Sequence, residues 1–203
     1  MLGNESFERR FVVGLGNPGR DYAETRHNIG FRVVAALRGR WRLDAGRRAF
    51  SGRTWEARLQ RAGTDRRVVL LEPYTFMNCS GRAVQEMMRF YKADFENLLV
   101  VLDDMALEFG RLRMRPEGSH GGHNGLADII ASLGSQSIPR LRIGIGNPPG
   151  RMEGRDFVLS RFRGQEVETI ADAIERAADA VEDWLFSGSR YVMDHYNRKS
   201  DDE

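Results

Sequence analysis

The polar residues best suited to chemistry in this 203-residue chain fall in three glycine-rich stretches: GLGNPGRDYAETRHN (Gly14 to Asn28), TFMNCSG (Thr75 to Gly81) and GSHGGHNG (Gly118 to Gly125). Each sets a His or an Asn among glycines just beyond an expected strand, where α/β proteins build sites on loops held by a rigid sheet. His27 with a strand-terminal carboxylate, Asp103 or Asp104, has the make-up of a general base. An imidazole can take a proton from water when a carboxylate holds its other nitrogen and stabilises the imidazolium. Asn17, Asn78 and Asn124 would surround it with neutral donors and acceptors. Spacing alone leaves the two aspartates open.

Other chemistries fit less well. GLGNPG satisfies G-x-G-x-x-G after a strand, but a dinucleotide fold puts its third glycine in the first helical turn, and here Pro18 and the segment RDYAET intervene. The glycines are expected to let the backbone turn sharply and present Asn17. His120 and His123, three apart, resemble half of a zinc site without the partners to complete it. Cys79 beside Asn78 lacks the flanks of known thiol hydrolases, and a small buried thiol is the expected role.

The elements that must position these residues can be read from periodicity. Phe11 to Leu15 is a buried strand, and Ile29, Val33, Val34 and Leu37 mark a helix over about His27 to Arg38 with Thr25 as its N-cap. Trp55 to Arg61 and Arg67 to Leu71 are strands of an expected hairpin around Gly63-Thr64-Asp65. Ser80 is expected to cap a helix through Val84, Met87, Met88 and Tyr91, followed by the strand Leu98 to Leu102. Arg111, Arg113 and Arg115 alternate with apolar residues, as do Arg140 and Arg142, so two strands would each turn guanidinium groups to one face. Ordinary half-exposed strands would show the same pattern. Leu126 to Leu133 outlines a helix entered from the Gly-rich loop, and a long packed surface helix is expected over about Gln165 to Phe186.

Composition bounds the rest. The length suits one α/β domain spanning 1–203, and no apolar run approaches the ~20 residues of a membrane span. The first ten residues, MLGNESFERR, have no apolar core of the kind a signal peptide needs, and a lone Cys79 forms no internal disulfide. A cytoplasmic compartment, no membrane partner and a monomer are expected. Of 31 basic residues all but Lys92 and Lys199 are Arg, which suits bidentate phosphate binding, although a codon bias would give the same count.

Taken together, GLGNPGRDYAETRHNIGF, LLEPYTFMNCSG, LDDMALEFGRLRMR, GSHGGHNGLADII and PRLRIGIGNP resemble, in order and spacing, the bacterial peptidyl-tRNA hydrolase family, over roughly Phe11 to Tyr191. The resemblance implies a twisted mixed β-sheet surrounded by helices, with no metal and no cofactor, that hydrolyses the ester between peptide and tRNA. It implies His27 as the base that activates water, Asp103 as the carboxylate that stabilises it, and Asn17 as the residue that tells blocked from unblocked aminoacyl-tRNA. Tyr22, Phe76, Asn78 and Asn124 match substrate-contacting positions, Met77 lines the cleft, and Arg115 and Arg142 fall near tRNA phosphates. Leu102, Ala106-Leu107-Glu108, Cys79 and Arg115 depart from the usual pattern, and Glu108 adds negative charge to the tRNA-facing rim. The alternative is a non-catalytic RNA-binding relative such as an organellar splicing factor.

Overall fold

The computed structural model describes residues 9–198; the N-terminal stretch 1–8 and residues 199–203 lie outside the described residues. Strands β1 (Arg9–Gly14), β4 (Thr64–Pro73), β5 (Leu98–Asp104) and β7 (Arg140–Gly144) form a parallel centre in the order β4-β1-β5-β7. Antiparallel strands extend it on both sides: β2 (Arg47–Ala49) and β3 (Gly52–Arg61) beyond β4, and β6 (Leu112–Arg115) beyond β7. The expected mixed sheet is present.

Helices cover both faces, which is why the central strands read as unbroken apolar runs. Val12, Leu70, Leu99 and Val101 point to one core, shared with α1 (Ile29–Arg40) and α5 (Glu166–Tyr196). Phe11, Val13, Val69, Leu71 and Val100 point to the other, shared with α2 (Ser80–Tyr91) and α3 (Asn124–Leu133). The helix α1 approaches the sheet through bare backbone: a Cβ on Gly30 would lie 2.3 Å from the Leu15 nitrogen and 2.5 Å from the Val101 oxygen. Only glycine permits that contact, and it brings the chain around His27 down onto the ends of β1 and β5.

Several boundaries differ from the periodicity reading. A separate 3-10 turn, Arg26–Asn28, precedes α1, and Thr25 caps nothing; its hydroxyl donates to the Tyr22 carbonyl at 2.8 Å. The hairpin turns at Ala62-Gly63, both with positive φ (48° and 79°), because Arg61 pairs with Thr64. The Ser80 hydroxyl donates to the Met77 carbonyl and so closes the turn before α2 instead of capping it. The last helix runs on to Tyr196, broken at Gly188 (φ 77°), and the segment beyond the break carries Asn197 to β6. There Asn197 bonds both the N–H (2.7 Å) and the C=O (3.1 Å) of Met114, satisfying part of an exposed sheet edge. The short strand β2 and the short helix α4 (Gly154–Val158) carry too few residues to show a period.

The expected Arg face of β7 is corrected by the structure. Arg142 is half-buried, but Arg140 is only 2% exposed. Its guanidinium donates to the carbonyls of Gly118 (2.7 Å), Ser119 (3.4 Å) and Gln136 (3.2 Å), so it braces the glycine-rich loop from below. Strand alternation does not reveal this, because a cation is buried wherever loop carbonyls converge on it.

One buried carboxyl makes stability depend on pH. Burial raises Glu72, at the end of β4, from 4.5 to about 7, against the opposing pull of Arg38 and Arg53. The folded chain thus retains a proton that the unfolded chain releases, and this contribution is full below about pH 4.5 and lost as pH rises through 7. Relative to Glu72→Gln, the wild type should lose about 3 kcal/mol of unfolding free energy between pH 4 and 8. Urea titrations of both proteins across that range measure the difference directly, and a flat difference would refute it.

Candidate active site

The C-terminal ends of the parallel strands open into a cleft of about 850 Å³. The loop after β1 brings Asn17, Tyr22 and His27; the loop after β4 brings Phe76, Met77 and Asn78; Asp103 ends β5; and Asn124 opens α3. Side chains up to 107 chain positions apart are gathered this way because the parallel strands β1, β4 and β5 all end at one edge of the sheet.

Its centre is built on one oxygen. The Asp103 carboxylate, 3% exposed, faces His27 Nδ1 at 2.9 Å and His123 Nε2 at 3.0 Å, both through Oδ1. Burial works against its ionisation, but attraction from His123 and His27 and the hydrogen bonds from both outweigh it, so the carboxyl lies below the usual carboxylate range. An ionised carboxylate only accepts, so both facing nitrogens carry protons. The other nitrogen of His123 accepts the Leu126 amide at 3.2 Å, which orients the ring with Nε2–H toward Asp103. His27 donates Nδ1–H to the same oxygen, which leaves its Nε2 as a lone pair at the cleft wall.

The adjacent Asp104 is engaged elsewhere. It accepts the Ala106 amide at 2.8 Å and is ion-paired with Arg142. His123 was weighed in the sequence only as half of a zinc pair; His120 instead accepts the Gly122 amide at 3.1 Å within its own loop. His27, Asp103 and His123 are nonetheless the one group of metal-ligand type among the described residues, with ligand atoms within 4.8 Å of one another. A cation there would have to replace both bridging protons and break the His123–Leu126 bond. Hydrogen bonding uses all three residues as they stand.

Asn17 is held at three points. Its backbone N–H donates to Asn28 Oδ1 and its carbonyl accepts Asn28 Nδ2, each at 2.9 Å, while its side-chain Oδ1 accepts the Met77 amide at 2.8 Å. The amide –NH₂ of Asn17 is therefore the part that remains to face a ligand. Asn28, directly after His27 and 1% exposed, is a positioning residue that spacing did not single out. The signal was an Asn at the end of an already suspect block. Arg26, just before His27, donates from Nη2 to both Glu166 oxygens (2.7 and 3.0 Å), bonds Ser160 Oγ and the Ile145 carbonyl, and lies over the Phe157 and Phe162 rings. The turn that carries His27 is thus fixed on both flanks.

Tyr22 and Phe76 meet edge to face across 6.4 Å at the mouth, and Phe76 is 60% exposed. Asn78 and Asn124 are exposed. Cys79 is exposed instead of buried and lies off the cleft lining. Arg115 and Arg142 also lie off it, lining a smaller cavity of about 280 Å³ behind His120 and Gly121, together with Arg140.

Comparison with known proteins places this geometry. A sequence model described as peptidyl-tRNA hydrolase matches residues 11–203. The peptidyl-tRNA hydrolase of Bacillus cytotoxicus is 42% identical over 190 residues, covering 93% of this chain and 99% of that protein. The chain belongs to the peptidyl-tRNA hydrolase family. It is thereby an ester hydrolase by class. The Rhodopirellula baltica member is 44% identical over 94% of this chain and 98% of its own. The crystal structure of the Acinetobacter baumannii peptidyl-tRNA hydrolase superposes with a TM-score of 0.83 at 35% identity, covering 93% of this chain and 94% of that one. Among the described residues no helix is long and apolar enough to cross a membrane.

Proposed function

We propose that this chain hydrolyses the ester between the C-terminal carboxyl of a peptide and the terminal ribose of tRNA, with His27 as general base. The observation that carries the reading is the single Asp103 oxygen bonded to His27 Nδ1, beside a His123 whose ring is oriented by the Leu126 amide. His27 Nε2 takes a proton from water as the water oxygen attacks the ester carbonyl carbon, and Asp103 stabilises the imidazolium so formed. Asn78 and Asn124 offer amide donors to the developing oxyanion. When the C–O bond breaks, the imidazolium returns its proton to the departing ribose oxygen, giving a free tRNA hydroxyl and a peptide carboxylic acid that ionises to the solvent.

Asn17, with its oxygen held by the Met77 amide, presents –NH₂ to the carbonyl of an N-acylated residue. Tyr22, Phe76 and Met77 supply apolar surface for the peptide. Arg115 and Arg142 contact tRNA phosphate, with Asp104 holding the Arg142 guanidinium in place. No step draws on a metal or an organic cofactor.

The test is turnover of purified N-acetyl-aminoacyl-tRNA, followed by release of free tRNA. Arg115→Ala should raise KM on this substrate and flatten its salt dependence, since each lost phosphate contact releases fewer counterions. It should change little on a short ester that lacks the tRNA body. Absence of turnover by the wild type would defeat the proposal and leave the RNA-binding alternative.

A further inference from the structure

The two walls of the cleft differ in charge. Asn17, Tyr22, Phe76, Met77 and Asn78 form a wall with no formal charge. A second stretch of the lining is the segment that leaves β7, the strand carrying Arg142, and runs through Asn147 and Pro148 to α4. Arg155 on α4 lines this wall and is exposed, and among the described residues its guanidinium makes no hydrogen bond or ion pair. Three other guanidinium groups around the cleft are engaged: Arg26 with Glu166, Arg142 with Asp104, and Arg161 with Glu24.

The wall is also firmly placed. Phe157 and Val158 of α4 are buried, and Arg26 bonds Ile145 at one end of the segment and Ser160 at the other. Because Arg26 precedes His27 in the same turn, Arg155 is held in a frame fixed relative to the base. A free guanidinium on a cleft wall is a ligand for an anion, and it binds phosphate in a planar, bidentate manner. The substrate read above has a neutral amide-bearing peptide on one side of its ester and a phosphodiester on the other. Peptide side chains vary from substrate to substrate, whereas the phosphodiester stands at a constant distance from the scissile bond.

We propose that Arg155 binds the phosphodiester preceding the terminal ribose of the substrate's single-stranded 3′ end, so that this end lies along the β7–α4 wall and the peptide along the uncharged one. This assignment rests on the proposed hydrolysis and specifies how its substrate lies. It makes Arg155 a binding residue for the nucleotide and leaves the hydrolytic step to His27.

Two readouts on the full chain test it, one of them independent of turnover. By fluorescence anisotropy, Arg155→Ala should weaken binding of an unacylated CCA trinucleotide about tenfold, the scale of one charge-assisted contact, and reduce its log–log salt slope by about 0.7. In hydrolysis, the same variant should raise KM about tenfold for the N-acetyl-phenylalanyl ester of CCA and leave kcat/KM for N-acetyl-phenylalanyl-adenosine, which has no phosphate, within about twofold. Arg155→Lys should recover part of the binding. Equal loss on both esters would overturn the assignment, as would unchanged trinucleotide binding or a loss seen only with an acidic acyl group such as N-acetyl-aspartyl. If the wild type binds CCA better than Arg155→Ala but cleaves neither ester, the hydrolytic reading fails while the Arg155 assignment holds.

Discussion

His27→Ala should lower kcat on N-acetyl-aminoacyl-tRNA by about 10³-fold while KM changes by less than about threefold, because a positioned general base contributes on that scale and the phosphate contacts lie elsewhere. Asp103→Asn should come close to it. The Asp103 oxygen accepts from both His27 and His123, and a neutral amide at that position removes the ionic partner of the imidazolium and allows His27 to turn its protonated nitrogen to the cleft. Since Asp103 is held below the usual carboxylate range, its charge persists across the acid limb of kcat/KM, and in Asp103→Asn, which lacks that charge, the residual activity should show the limb at lower pH. Circular dichroism confirms that each variant is folded, and pH–rate profiles supply the comparison. Near-normal turnover by His27→Ala, or an unshifted limb in Asp103→Asn, would remove these residues from the proposed roles.

Discrimination between blocked and unblocked esters should be as large. A free aminoacyl ester lacks the amide carbonyl that the Asn17 –NH₂ is placed to meet, and it brings an amine, often protonated, against a donor. A site built to hydrogen-bond a substrate group can reject its absence by ~10⁴- to 10⁵-fold. The wild type should therefore prefer N-acetyl-aminoacyl-tRNA over aminoacyl-tRNA by about that ratio, measured as kcat/KM on matched substrates. Asn17→Ala should erode it, and Asn17→Asp should erode it further by setting a carboxylate against the substrate carbonyl while still accepting from Met77. Cys79→Ser, off the cleft lining, should leave the ratio intact. Comparable wild-type rates on the two esters would refute this role.

Much of the scaffold is legible in the sequence. The central strands are buried on both faces, so their apolar runs stand out, and the glycines around Asn17 and His123 mark loops at strand ends. The motif order also identifies the family, since it encodes the loops that bring Asn17, His27, Asn78, Asp103 and Asn124 to the cleft. The pair His27 and a strand-terminal Asp could be named from residue type alone.

Which aspartate, and with what companions, was decided by tertiary structure. Asp103 and Asp104 are neighbours on a strand and project to opposite sides, so the register of β5 between β1 and β7 determines that one meets two imidazoles and the other a guanidinium. His123 joins Asp103 because its loop is braced by the buried Arg140, and Arg140 reads in the sequence as an ordinary surface cation. Asn28 fixes Asn17 across a loop of ten intervening residues, a contact set by the close approach of Gly30 to Leu15 and Val101. Residue types and periodicity specify what each element can bury and what each side chain can donate. Direction and distance between side chains on different loops depend on strand register and backbone packing, which no local pattern contains.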